Sequence, residues 1–185
     1  MNSKEVRECF INAKKDDIRG KKHKGLLITQ QNQELAEEYI AKAKQNLEFC
    51  EIYKSKGVDY KLPEEWFYTL YYCALAILSK FGVESRSQRC TAAFLKYIKD
   101  KELVEYDDEF IERITVYREK EETSDVDRRE AARYGANIKI PAIEQDYERM
   151  MDLCKQAIAQ CEEIIFSKEE CKLPEEIKSF EEKSQ

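Results

Sequence analysis

Residues 66–98 read WFYTLYYCALAILSKFGVESRSQRCTAAFLKYI, and the way this stretch folds decides the fold of the chain. Trp66, Leu70, Cys73, Ile77 and Phe81 recur at three- and four-residue steps, the spacing that brings side chains to one side of a helix. Tyr68, Tyr71, Tyr72, Ala74 and Ala76 widen the stripe, and a helix apolar on most faces is one that its neighbours surround. Gly82 supplies a stop, and Ser85 or Ser87 then caps a second helix carrying Cys90, Phe94 and Ile98. No strand is expected between Trp66 and Ile98. The apolar run from Leu70 to Leu78 falls far short of the ~20 residues a bilayer-spanning helix needs, so it predicts a soluble core and no membrane contact.

The rest of the chain extends this helical reading. Its 185 residues suit one domain, and 38% charged against 42% hydrophobic residues, with five Gly and three Pro, favours helices over a sheet. Ile40, Ala43, Leu47, Cys50 and Tyr53 form a stripe from about Gln33 to Lys56, which Gly57 closes. Pro63, Glu64 and Glu65 suit the start of the central helix. The two helices should then lie antiparallel. Further helices are predicted from Asp108 to about Tyr117 and from about Ala142 to Ser167. A last, short one is either docked from Pro174 to Phe180 or frayed. The expectation is an all-α, up-and-down bundle of about five helices over residues 31–167, with a basic arm at 1–30 and a charged tail at 168–185.

Net charge is −6, which argues against wholesale coating of nucleic acid. Its distribution is uneven, since residues 1–25 hold eight Lys/Arg against four Asp/Glu. Lys21, Lys22 and Lys24 in this segment either touch a phosphate backbone or form a solvated end, and Leu26-Leu27-Ile28 docks the segment onto the domain. Seven cysteines stand at 9, 50, 73, 90, 154, 161 and 171, with no C-x-x-C spacing, and His23 is the single histidine. A zinc site needs close-set ligand pairs, so no metal site is expected. Five of these cysteines, including Cys90, fall near apolar stripes as small hydrophobes. Free thiols and no apolar leader predict a cytoplasmic protein.

The central stretch also resembles a known family. Tyr71-Tyr72-Cys73-Ala74, then Gly82-Val83-Glu84, then Ser87-Gln88-Arg89 opening the next helix, is similar to the pattern of HEPN domains. These are small all-helical proteins, many of them ribonucleases or toxins paired with a nucleotidyltransferase. Histidine stands in the single-domain branch of that family where this chain has Gln88. The resemblance covers roughly residues 33–167 and implies a homodimer, an RNA or nucleotide ligand, and a possible nucleotidyltransferase partner in a toxin–antitoxin or defence module. It implies no cofactor.

Active HEPN ribonucleases carry an arginine followed, four to six residues later, by histidine. The matching stretch here is Arg129-Glu130-Ala131-Ala132-Arg133-Tyr134-Gly135, in which Arg129 fits the family arginine and Arg128 fits it with a one-residue shift. Arg133 or Tyr134 takes the histidine's place. Tyrosine titrates near 10 and arginine above 12, so neither is a ready general base at neutral pH. The stretch therefore reads as a degenerate catalytic motif. Arg129, Arg133 and Tyr134 either hold a phosphate and stack on a base, or pair with Glu119–Glu122 around a buried tyrosine. Arg86 and Arg89 stand at a helix start, where they either face a ligand in the groove between helices or belong to a solvated capping turn.

Three functions follow as expectations. The first is a HEPN-like nucleotide- or RNA-binding protein. The second is a metal-independent ribonuclease using Arg129 with Tyr134 or Arg133. The third is a helical protein-interaction domain without chemistry.

Overall fold

The computed structural model describes residues 3–115, 132–135 and 140–182. Arg128, Arg129 and Glu119–Glu122 lie outside them. The described chain runs α1 (Ser3–Ile18), β1 (Leu26–Ile28), α2 (Gln33–Lys56), a 3-10 turn (Asp59–Lys61), α3 (Leu62–Lys80), β2 (Val83–Ser85), α4 (Gln88–Asp100), α5 (Asp108–Ile114), α6 (Pro141–Phe166) and α7 (Glu175–Glu182). The protein is mostly helical, as its periodicity predicts. No helix among the described residues is long and apolar enough to cross a membrane.

Local chemistry sets the helix ends. The Asn32 side chain accepts from the Leu35 N–H at 2.9 Å and opens α2. At its other end Gly57 takes a left-handed conformation, and the Val58 N–H reaches back to the Tyr53 carbonyl at 2.9 Å. Pro63 and two glutamates begin α3, and the Ser87 hydroxyl caps α4 by accepting from the Cys90 N–H. The boundaries of α2, α3 and α6 lie within a residue or two of those expected.

Helix α3 is the axis of the core. Trp66, Phe67, Leu70, Cys73, Ala74, Ile77 and Leu78 are all buried on it, and it touches α2, α4, α5, α6 and β2. With only the 3-10 turn between them, α2 and α3 lie side by side as an antiparallel pair. One continuous apolar cluster joins Val6, Cys9 and Phe10 of α1 to Ile165 of α6 and Ile177 of α7. Residues assigned to an N-terminal arm and a C-terminal tail thus contribute to the same core.

Two expectations are corrected. A short strand does occur between Trp66 and Ile98: Val83–Ser85 pairs antiparallel with Leu26–Ile28, in the register Leu26↔Ser85, Leu27↔Glu84, Ile28↔Val83. Gly82 makes the pairing possible. Its φ is +71°, and a Cβ there would come within 2.8 Å of the Thr29 carbonyl, to which Gly82 lies close because its own carbonyl accepts from the Thr29 N–H. The second correction concerns the thiols. Cys9 of α1 and Cys90 of α4 are joined by a disulfide across 81 residues of sequence, while Cys50, Cys73, Cys154, Cys161 and Cys171 form no disulfide.

Candidate functional site

Pairing of β1 with β2 carries the basic segment that precedes β1 to the turn that precedes α4. Arg86 lies at the end of that turn, where its backbone N–H donates to the Gly25 carbonyl at 3.1 Å. Gly25 itself runs so close to α1 that a Cβ would lie 2.3 Å from the Cys9 carbonyl. Glycine is required there by contact alone. Lys22, His23, Lys24 and Arg86 consequently line one open cavity of about 530 Å³.

Arg86 also borders a second, more enclosed cleft of about 540 Å³, where Thr29, Tyr39 and Ser79 offer polar groups beside Leu35 and Leu75. Arg86 therefore stands at the junction of the two hollows. Its Nε donates to Glu84 Oε1 at 2.7 Å. The same oxygen lies 3.2 Å from Nε2 of His23.

His23, although it stands among the lysines of the basic segment, is 5% exposed. The Gly25 N–H donates to Nδ1 at 3.4 Å, so Nδ1 is the acceptor nitrogen. Nε2 then carries the hydrogen and donates to Glu84, a tautomer assigned from these hydrogen bonds. The ring thereby positions a carboxylate and has no free lone pair with which to take a proton from a ligand. Partial burial acts to raise the Glu84 carboxyl. The His23 hydrogen bond and the Arg86 charge outweigh it, and the group sits below the ordinary carboxylate value.

From Tyr39 a row of rings leads away along α3. Tyr39 and Tyr72 stack with centroids 6.0 Å apart, and Tyr72 and Tyr68 with centroids 5.9 Å apart. The Lys42 ammonium stands 5.4 Å from the Tyr39 centroid and 5.7 Å from that of Tyr72. Burial raises the hydroxyl pKa values of Tyr39, Tyr71 and Tyr72, with the Glu84 charge adding to Tyr39 and the neighbouring Tyr68 and Glu65 adding to Tyr72. All three are neutral phenols at neutral pH.

The other residues singled out from the sequence are dispersed. Arg89 pairs with Glu5 of α1 at 3.4 Å. Lys21 is exposed but does not line the opening. Arg133 lies 3.7 Å from Glu64 at the start of α3, and Tyr134 is 81% exposed, with no buried tyrosine contact. Helix rise alone puts roughly 25 Å between Glu64 and Lys80, so the Arg133–Tyr134 end and the His23–Arg86 end occupy opposite ends of α3. Among the described residues, no group of three or more His, Cys, Asp or Glu side chains could hold a metal ion.

Lys22, Lys24 and Arg86 were thus recognisable as candidates, whereas Glu84, His23 and Tyr39 were not assigned roles. Tyr39 stands beside the α2 stripe, outside the apolar spacing that marks it. Glu84 appears only as part of a turn, and its partner His23 is 61 residues away. No protein-family model, curated protein or solved structure matches this chain.

Proposed function

We propose that the protein binds a nucleotide or RNA, as a HEPN-like helical domain in which the cleft between β2 and α2 is the binding surface. The observation that carries this is the convergence of Lys22, Lys24 and Arg86 on one opening beside a tyrosine-lined cleft. Cations set around a hollow attract phosphate, and Thr29, Tyr39 and Ser79 offer polar groups to a nucleoside in the adjoining cleft. The family resemblance supports the same reading and extends it to a homodimer and a nucleotidyltransferase partner.

Cleavage is not part of the proposal. Arg133 and Tyr134 have no histidine beside them, and His23 is buried at the other end of α3 with both ring nitrogens engaged. Arg129 is the residue on which the ribonuclease alternative rests.

Binding is tested by fluorescence anisotropy of the full chain with a short labelled RNA. Three phosphate contacts to a single strand predict that log K falls with log salt at a slope of about −2. Replacing Lys22, Lys24 and Arg86 together by Gln should abolish binding while circular dichroism stays unchanged. Absence of RNA and nucleotide affinity at low salt rejects the proposal in favour of the protein-interaction reading.

A further inference from the structure

We infer that the Cys9–Cys90 bridge is a redox latch on the cationic opening: closed, it holds Lys22 and Lys24 beside Arg86, and cut by a dithiol, it releases them and weakens binding. The inference rests on the binding function proposed above and concerns the regulation of that same site.

A closed ring of contacts carries it. The Cys9 carbonyl of α1 abuts Gly25, where a Cβ would lie 2.3 Å from that oxygen and 3.1 Å from the Ala13 side chain. On its other side Gly25 accepts the Arg86 N–H at 3.1 Å, and its own N–H donates to Nδ1 of His23. Cys90 follows Arg86 in the first turn of α4, which Ser87 caps, and its sulfur returns to Cys9. Gly25 is thus gripped between the two bridged elements, and Lys22, His23 and Lys24 lead directly into it.

The ring has no slack. Cys9, Ala13, Cys90 and Phe94 are all buried, and close-packed side chains do not move singly. Two thiols need more room than two bonded sulfurs, so reduction displaces α1 from the first turn of α4. Both helices are internally hydrogen-bonded, whereas residues 21–25 lie in neither helix nor strand, so this segment takes up the displacement. The β1–β2 pair begins only at Leu26 and does not hold the lysines.

The step is a two-electron exchange. A dithiol attacks the bridge, the Sγ–Sγ bond breaks, both cysteines leave as thiols with the reductant's two protons, and the reductant closes into its own disulfide. Glutathione disulfide reverses it, taking the two protons and electrons and releasing two glutathione thiols. Because both sulfurs are buried, exchange waits for α1 to lift, and the latch keeps the state it was given.

The test uses the full chain and the labelled RNA of the binding assay, with circular dichroism verifying that each form is folded. Thiol titration in urea should count five cysteines before dithiothreitol and seven after it. The reduced protein should bind about tenfold more weakly, and its salt slope should fall from about −2 to about −1 as the lysine contacts are lost. Glutathione disulfide should restore both. Cys9→Ser/Cys90→Ser should behave as the reduced protein under every condition. Ile165→Ala, which removes buried apolar surface from α6 and leaves the bridge intact, should keep the oxidised affinity and slope. Equal affinity and slope in the two redox states, or an equal loss in Ile165→Ala, overturns the latch and leaves the binding function standing. Absence of binding in both states overturns both.

Discussion

Nε2 of His23 and Oε1 of Glu84 meet at 3.2 Å across 61 residues of sequence, and the same carboxylate oxygen receives Nε of Arg86 at 2.7 Å. One oxygen thus ties the N-terminal segment to the turn before α4. The contact makes stability depend on the charge of Glu84.

That dependence has a definite sign. The folded-state pKa of Glu84 is depressed, so its contribution is fully present above the unfolded carboxyl value of about 4.3 and is lost as pH falls through the folded value. Glu84→Gln should lower the melting temperature at pH 7 and flatten its fall on acidification. Melting curves of both proteins between pH 7 and pH 3 should converge at the acid end. Parallel curves at every pH contradict the assignment.

The disulfide should be a large stabilising element. Closing a loop of 81 residues restricts the unfolded chain by about 4.5 kcal/mol in the chain-entropy description. Urea unfolding with and without a dithiol reductant, and of Cys9→Ser/Cys90→Ser, should show a loss of that order. Val6, Phe10 and Ala13 bury apolar surface of α1 alongside the bridge, so the reduced protein should keep its helical circular dichroism.

Gly82 combines a φ of +71° with a backbone oxygen 2.8 Å from where a Cβ would stand. Gly82→Ala should cost about 2 kcal/mol or more, because strain and contact act together. Hydrogen exchange should show the loss first at Thr29 and the amides of the β1–β2 pair. An unchanged denaturation midpoint would falsify this account of the turn.

Two aromatic deletions should differ sharply. Phe94 is fully buried and makes edge contacts with Phe10 and Phe81 at centroid distances of 6.3 Å each. Phe94→Ala should cost roughly 3–5 kcal/mol. Tyr134, 81% exposed, should tolerate alanine within about 0.5 kcal/mol. Chemical denaturation of the two variants measures both.

Legibility in the sequence followed the distance over which each interaction acts. The end of α2 and the starts of α3 and α4 were readable because Gly57, Pro63 and Ser87 act within one turn of their own position. Burial on α3 was readable because its apolar period is unbroken. Strands of three residues carry no alternation to detect, so Val83–Ser85 looked like part of a turn. Once that pairing is hidden, the meeting of Lys22 and Lys24 with Arg86 is hidden with it, although each side chain is a candidate by itself. Cys9 and Cys90 escaped for the same reason: their shared contact depends on α1 docking beside α4, and neither local spacing nor composition reports it.

The Cys9–Cys90 bridge has a mechanical consequence. Helices α2 and α3 both lie inside the covalent ring it closes, so tension applied at the two chain ends bypasses them. Drawn out fully, the oxidised chain yields about 280 Å less contour than the reduced one. An unfolding machine that threads polypeptide from either end would meet a doubled strand at the bridge, with α2 and α3 carried in the looped portion.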